Sequence, residues 1–393
     1  MKVLIYRYGS ICEPDVIEGF KELGFEVSEM TEEITNQELL PGDCARLVSH
    51  FLLEHPHDFV FSINFFPVVS EICNIFKMPY LCWTVDSPLL ELFSKSIKNP
   101  CNKVFVFDRA QYDEIYDYNP GNIFYFPLAV NITQKQTIIK NASTQIKNKF
   151  KSDISFVGSL YSEKCPYDKL KNAPDYLKGY MDGIIESQLQ VYGYYFVDEM
   201  LSDSVVADFK AHLPGFYTPP DDYMLNDQTI TSQLYIGNKI TAVERERTMR
   251  LLSDNFYMDI YTGSDTSMMP HIHNRGFANT MTEMPIIFHE SKINLNTTSK
   301  AIRTGIPLRI FDIMGCGGFV MTNYQSELPE LFNIGTELVS YGSMDELIEL
   351  TNYYLTHDSE RKLIAHNGFE KVKTEYNYPV RLTKMLELAF SLS

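Results

Sequence analysis

Short apolar runs alternate with amphipathic stretches along the first 130 residues. The runs are rich in β-branched and aromatic residues, as strands are, and the stretches between them have helical spacing. Such alternation predicts a parallel sheet covered by helices on both faces and wound right-handedly. The predicted strands are KVLIYRYG, GFEVSEM, HDFVFSINF, MPYLCWTVD, KVFVFD and NIFYFPLA, and the predicted helices are PDVIEGFKELG, PVVSEICNIFK and RAQYDEIYDY.

The alternation stops at residues 131–151, a polar segment with five lysines, and then starts again. We interpret this segment as the crossing between two domains, with its lysines in solvent. After it we expect the strands DISFVGSL, FYMDIYTG, KINLN, GFVMT and ELVSY, the helix KITAVERERTMRLL, and three closing helices within the last sixty residues.

The predicted fold class is therefore α/β, with two Rossmann-like doubly wound domains. We place the first domain at residues 1–150 and the second at 151–375, with a helical insertion at about 161–250. We expect the last helix, at about 376–393, to return to the first domain.

Length and composition agree with this picture and exclude some partners. A chain of 393 residues is long for one core. A net charge of −17 argues against a nucleic-acid partner, because phosphate backbones need clustered lysine and arginine. The sequence shows no signal peptide, no membrane span and no paired cysteine spacing, so we expect a cytoplasmic protein.

The segment TGIPLRIFDIMGCGGFVMT, residues 304–322, places two charges in an otherwise apolar helix and strand. Pro307 suits the first helical position, which puts Arg309 in the first turn. A cation there opposes the helix dipole by about 0.3–1 kcal/mol. One alternative is that Arg309 pairs with Asp312 one turn later. The other is that the start of the helix and the guanidinium bind an anion such as phosphate, while Asp312 accepts hydrogen bonds from sugar hydroxyls.

Glycines follow this helix in the run GCGG, residues 315–318. They form either a helix cap and tight turn or a place where a ligand approaches the backbone closely. The second alternative makes Gly317 and Gly318 donor-binding residues.

Two parts of the chain carry a resemblance to a known family. The stretch KINLNTTSKAIRTGIPLRIFDIMGCGGFVMTNYQSELPELF, with the helices after it, resembles the C-terminal half of GT-B-fold glycosyltransferases, most closely those related to the spore maturation protein CgeB. The stretch FSINFFPVVSEICNIFKMPYLCWTVDSP resembles the uncharacterised N-terminal domain that accompanies it in bacterial proteins.

The resemblance implies a GT-B protein whose domains face each other across a cleft, with a nucleotide-sugar donor on the second domain and an acceptor on the first. In the retaining enzymes a ribose-binding glutamate follows a second acidic residue by eight positions. Asp312 occupies the ribose position as a shorter ligand. Thr304 stands at the other position, so the acidic pair is incomplete and a retaining mechanism is in doubt.

The resemblance also implies which residues surround the donor. For Gly158 a simple strand-end turn is the alternative. Asn296 and Arg303 are expected beside the pyrophosphate, and positive groups of this kind make a bound metal unnecessary. The implied donor-binding residues are Gly158 and Ser159 at the phosphates, Gly276 and Phe277 at the base, and Asn296, Arg303, Arg309, Asp312, Gly317 and Gly318.

The segment CWTVDSP supplies the acceptor-side candidates. Asp86 is either a helix cap or the catalytic general base for an acceptor hydroxyl. Trp83 either packs in the core or stacks on a sugar. Tyr8 and Gly9, after the first strand, are expected to face the acceptor. The loop after that strand lacks GxGxxG, so no nicotinamide or flavin cofactor is expected.

The resemblance thus implies a metal-independent hexosyltransferase that uses a UDP-type nucleotide sugar and a glycan or protein acceptor, without a cofactor. The paired histidines at 55/57 and 271/273 lack a nearby third ligand, so no metal site is expected. Two alternatives stay open. One is a sugar-nucleotide epimerase or hydrolase, and the other is a nucleotide-sugar-binding module without catalysis.

Overall fold

The computed structural model describes residues 1–36 and 40–390 and contains two compact units. Each unit is built on a six-stranded sheet whose paired strands are all parallel. Unit 1 comprises Met1–Asn131, Pro219–Met224 and Thr374–Ser393, and unit 2 comprises Ile132–Thr218 and Leu225–Lys373. This is the predicted fold class, two Rossmann-like doubly wound units.

In unit 1 the sheet has the order β2-β1-β3-β4-β5-β6. All six predicted strands are confirmed. Two short 3₁₀ turns, Leu90–Phe93 and Lys95–Lys98, separate the fourth strand from the fifth, and a third covers Tyr116–Tyr118. The elements are β1 (Lys2–Tyr6), α1 (Glu13–Glu22), β2 (Glu26–Met30), α2 (Glu32–Thr35), α3 (Pro41–Glu54), β3 (Phe59–Ile63), α4 (Pro67–Phe76), β4 (Tyr80–Trp83), β5 (Asn102–Val106), α5 (Arg109–Ile115) and β6 (Ile123–Tyr125).

The central strands of unit 1 are apolar because helices cover both faces of the sheet. Every residue of β3 and β4 is buried, whereas β2, at one edge of the sheet, is mostly half-buried. Proline occupies the first turn of α1, α3 and α4, where a missing backbone N–H leaves no donor unpaired.

Unit 2 has the sheet order β12-β11-β10-β7-β8-β9. The five strands predicted here are confirmed, and the two-residue edge strand β9 was not predicted. The elements are α6 (Ile132–Asn141), α7 (Thr144–Lys149), β7 (Ser152–Val157), α8 (Asp175–Leu189), α9 (Val197–Met200), α10 (Asp203–His212), α11 (Asp227–Thr229), α12 (Gly237–Asn255), β8 (Met258–Tyr261), β9 (His273–Asn274), α13 (Met284–Glu290), β10 (Ser291–Asn296), α14 (Leu308–Gly315), β11 (Val320–Asn323), α15 (Leu328–Leu331), β12 (Val339–Tyr341), α16 (Met344–Thr356) and α17 (Asp358–Glu375).

The insertion between β7 and β8 has a hydrophobic cluster of its own. Leu177 and Met181 of α8 and Phe209 of α10 belong to it, separately from the cluster under the sheet. Two 3₁₀ turns, Ser162–Lys164 and Pro166–Lys169, precede α8. A π-helical turn, Ile230–Ile236, leads directly into α12. The insertion is therefore a helical subdomain that ends in a helix packed beside the sheet.

The division between the units differs from the predicted boundary. It follows Asn131 instead of residue 150, because the polar segment folds as α6 and α7, which pack on α13. The final helix α18 (Tyr378–Phe390) belongs to unit 1 and packs on α1. In the described part of the chain, no helix combines the length and apolarity that a bilayer crossing needs.

Candidate functional site

In each sheet the strand order reverses at one place, and ligands of doubly wound folds bind beyond the carboxyl ends of the strands at that place. In unit 1 the reversal lies between β1 and β3, and in unit 2 it lies between β7 and β10. We call these two places the unit 1 crevice and the unit 2 crevice. The residues that follow those four strands are the first candidates for ligand contact.

The unit 2 crevice is spanned by one arginine. Arg245 of α12 donates hydrogen bonds to the carbonyl of Ser159, after β7, at 2.5 Å and to the carbonyl of Thr297, after β10, at 2.7 Å. Its guanidinium also lies 4.6 Å from the ring centre of Tyr161. One side chain on a helix thus ties together the two strand ends where the fold is expected to bind its ligand.

In the described chain Arg245 makes no direct contact with a carboxylate, although the charge of Glu244 attracts it. Within residues 1–36 and 40–390 its guanidinium forms no ion pair, and its buried Nε has no hydrogen-bond partner. Burial lowers the pKa of Arg245; Tyr161 and Glu244 oppose this fall, and the charge of Arg309 adds to it. A cation that is partly withdrawn from water and hydrogen-bonded only to carbonyls is costly, and an anion would relieve that cost.

The same face of α12 fixes the loop after β10. The Thr241 hydroxyl accepts a hydrogen bond from the backbone N–H of Lys300 at 2.9 Å. The Lys300 ammonium pairs with Glu244 at 3.2 Å, and both side chains are buried. Because Thr241, Glu244 and Arg245 lie three and four residues apart, their side chains form one polar stripe on the same face of α12. Sequence reasoning missed this stripe, although its polar spacing is visible in KITAVERERTMRLL.

Arg309 and Asp312 form the ion pair that was one of the two alternatives. Pro307 is the cap of α14 and Arg309 lies in its first turn, with the guanidinium 3.6 Å from one Asp312 oxygen. Lys135 of α6 approaches the other oxygen at 3.5 Å. Asp312 is only 4% exposed. Lys135, which was expected to lie in solvent, is buried on helix α6 and covers it. Ribose binding by Asp312 stays a prediction. It requires the carboxylate to give up its contact with Lys135 or Arg309 and to accept hydrogen bonds from ribose hydroxyls instead.

Other predicted donor residues lie at the carboxyl edge of the same sheet. Gly158, with φ +159°, and Ser159 follow β7. Asn296 ends β10, but its buried amide donates to Thr298 at 3.0 Å and to Thr322 at 2.9 Å, so it holds strand ends together. Arg303 lies in the next loop, 3.8 Å from Asp198.

Phe277 is the most exposed of the large apolar residues in the described chain, at 83%. Gly276 precedes it with φ +76°. Its ring lies beside Gly263, after β8, where an added Cβ would be 3.5 Å from the ring. This places an open aromatic face next to the strand that neighbours β7, which is compatible with the expected contact to a base.

Gly317 and Gly318 lie at the opposite edge of the sheet, before β11, so their prediction as donor-binding residues is corrected. They end α14 as a cap: Gly317, with φ +72°, donates to Met314 and Gly318 donates to Ile313. A Cβ on Gly318 would lie 2.6 Å from the Phe288 carbonyl. The glycines are needed for the turn and for packing.

The unit 1 crevice is organised by an amide. Asn64, immediately after β3, donates from Nδ2 to the Tyr8 hydroxyl at 2.9 Å and to the Asp86 carboxylate at 2.7 Å. Its Oδ1 accepts from the backbone of Val85 at 3.0 Å. Gly9, with φ +99°, donates its N–H to the buried carboxylate of Glu13. Asn64 was not among the predicted residues.

Two expectations for this segment are corrected. Asp86 caps no helix, because the residues after it continue as an irregular turn until the 3₁₀ turn that begins at Leu90. Trp83 cannot stack on a sugar, because it is 1% exposed and its ring packs against Phe126 and Tyr378. The strand β4 is covered on both faces, so its tryptophan belongs to the core.

Known proteins resemble this chain in two ways: a sequence family matches one segment of it, and solved structures match its whole fold. Residues 244–387 match a family described as glycosyl transferase-like. No curated protein sequence matches the chain.

Solved structures match over the full length, at low identity. HepE from Anabaena, crystallised with UDP and glucose, has 13% identity and a TM-score of 0.54, with 100% of both chains covered. Sucrose-phosphate synthase from Thermosynechococcus elongatus has 8% identity and a TM-score of 0.57, again covering 100% of both chains. A glycosyltransferase from Rickettsia africae has 12% identity and a TM-score of 0.55, covering 99% of this chain and 98% of that chain. The chain therefore has the GT-B fold of two Rossmann-like units, and its residues 244–387 are similar to the glycosyl transferase-like family.

Proposed function

We propose that the protein is a glycosyltransferase that moves a hexose-type sugar from a UDP-type nucleotide sugar to an acceptor hydroxyl. The observation that carries the proposal is the Arg245 guanidinium at the unit 2 crevice, held by two carbonyls and by no carboxylate in the described chain. It lies within the segment that is similar to the glycosyl transferase-like family.

A diphosphate suits this position for reasons of charge and geometry. A guanidinium offers donors in a plane that match two phosphate oxygens. The N-terminus of α14 and Arg309 lie at the same edge of the sheet and add positive potential. These groups stabilise the negative charge that develops on the leaving diphosphate, so we propose that no bound metal is needed. The open ring of Phe277 is then available to the base.

Nucleotide binding is the first test. We expect isothermal titration calorimetry to show that UDP and UDP-glucose bind in the presence of EDTA, and that uridine, which has no phosphate, binds at least about tenfold more weakly. Binding that needs Mg²⁺ would contradict the metal-free part of the proposal. Equal affinity for uridine and UDP would contradict the diphosphate site.

Product analysis then separates the transferase from the other activities. UDP-glucose incubated alone and with a panel of glycan acceptors is analysed by mass spectrometry. A glycosylated acceptor with free UDP is the expected product. An isomerised sugar nucleotide without acceptor indicates an epimerase, and intact UDP-glucose under all conditions indicates a binding module.

A further inference from the structure

Asn64 holds the polar groups of the unit 1 crevice in one fixed arrangement. It is 6% exposed and has a left-handed backbone, with φ +60°, which asparagine tolerates better than most residues. Its three side-chain hydrogen bonds reach the residues after β1 and after β4. The side chain therefore links the ends of three adjacent strands.

The orientation of this amide follows from its partners. The backbone N–H of Val85 can only donate, so the amide atom facing it must be the oxygen. The nitrogen then faces the carboxylate of Asp86 and the hydroxyl of Tyr8. A carboxylate that accepts a hydrogen bond from a buried amide is held in one position. Asp86 itself is exposed, so it is open to a ligand.

The charges of this crevice contrast with those of the unit 2 crevice. Arg7, after β1, is bound by Glu13 at 3.0 Å and by Glu29 at 2.6 Å, so its charge is already compensated. Burial raises the pKa of the Glu91 carboxyl on the nearby 3₁₀ turn, and the charge of Asp86 adds to that rise. In the described loops directly after β1, β3 and β4, residues 7–10, 64–66 and 84–89, Arg7 is the only cation. This environment disfavours a phosphorylated ligand and suits a neutral one with hydroxyl groups.

We infer that the unit 1 crevice binds a neutral, unphosphorylated sugar as the acceptor, and that Asn64 is the positioning residue that holds Asp86 against its reactive hydroxyl. This inference rests on the proposed function, because it assigns the acceptor of that same reaction. The acceptor oxygen forms a bond to the anomeric carbon of the donor while the bond from that carbon to the diphosphate breaks. The leaving diphosphate takes the bonding electron pair, and the hydroxyl proton passes to Asp86.

Sugar binding to the full chain saturated with UDP tests the ligand class. Saturation-transfer NMR compares glucose, galactose and mannose with their 6-phosphates. We expect at least one neutral sugar to bind, and its phosphate to bind more weakly. Tighter binding of the phosphates, or no binding by any sugar of the panel, overturns the acceptor assignment. Failure of UDP itself to bind contradicts the proposed function instead, so the two failures are distinguishable.

Two variants test the positioning role. Asn64→Gly keeps the left-handed backbone and removes the amide, and Asn64→Asp keeps the shape and removes the donor. We expect either change to lower kcat/KM for glucosyl transfer to the bound sugar about tenfold or more, since hydrogen bonds to charged groups are the strong ones. Circular dichroism and UDP affinity serve as the controls for folding.

The division of the loss between kcat and KM separates positioning from a merely structural role. Without the amide the Asp86 carboxylate is no longer held in place, so kcat falls while the KM for the sugar changes by less than about twofold. A loss carried by KM alone, or unchanged kcat/KM, overturns the assignment of Asn64. If a variant does not fold, the other variant decides.

Discussion

The two crevices lie at equivalent places in sheets of the same kind, yet their chemistry is opposite. In unit 2 a half-buried arginine ties the residues after β7 and β10 together through their carbonyls. In unit 1 a buried amide ties the ends of β1, β3 and β4 and presents a carboxylate. The topology provides the place in both cases, and one side chain decides whether it suits an anion or a hydroxyl.

The difference divides the proposed reaction between the units. In the proposed reaction the cationic crevice would bind a leaving diphosphate, and the carboxylate crevice would accept a proton. A change in one crevice should therefore affect one function and spare the other. The predictions below use this separation, beginning with the largest expected effect.

Asp86→Asn should abolish most of the transfer while leaving the donor affinity unchanged. The change keeps the side-chain shape and removes the proton acceptor, and general bases contribute about 10²–10⁴-fold to rate. UDP release in the presence of the acceptor sugar measures the rate, and calorimetry measures UDP affinity. Asp113→Asn, an exposed residue of α5, is the matched control. A variant that retains full activity would remove Asp86 from the mechanism.

Lys135→Met should destabilise unit 2 by about 1.5–3 kcal/mol, because it leaves the buried carboxylate of Asp312 with Arg309 alone. Urea unfolding measures the free energy. Lys140→Met, on the exposed face of the same helix, should change it by no more than about 0.5 kcal/mol. Equal stability of the two variants would show that the Lys135–Asp312 pair is not structural and would favour a ligand role for Asp312.

Gly318→Ala should cost about 1–3 kcal/mol of stability with no change in UDP affinity, because the new Cβ meets the carbonyl of Phe288 and the amide of Asn294. Gly183→Ala is the contrasting variant. It lies on α8 in open space, where alanine should stabilise the helix by up to about 1 kcal/mol. Lost UDP binding in a stable Gly318→Ala protein would restore the donor-binding interpretation of the glycine run.

Much of the fold is predictable because its signals are local. The buried strands appear as apolar runs bounded by turn residues, and the order of strands and helices implies two doubly wound sheets. The polar segment at 131–151 was misjudged for a physical reason. Its buried positions, Asn131, Lys135 and Ile139, recur every four residues, but two of the three are polar and hide the helical stripe.

The site is less predictable because it depends on contacts between distant segments. Arg309, Asp312 and Asp86 could be picked out as charges in apolar surroundings. The role of Arg245 depends on the loop after β10 folding back onto α12, and that of Asn64 depends on three strand ends meeting. Trp83 was ambiguous because the sequence does not show that β4 is covered on both faces.

The affinity of Arg245→Gln for UDP tests the central claim most directly. The variant keeps a polar side chain but removes the charge, and Arg250→Gln, on the exposed face of the same helix, is its matched control. The account predicts that calorimetry shows a loss of UDP affinity of about 10–100-fold for Arg245→Gln and less than about twofold for Arg250→Gln. Unchanged UDP affinity in a folded Arg245→Gln protein would contradict the assignment of the unit 2 crevice to a diphosphate.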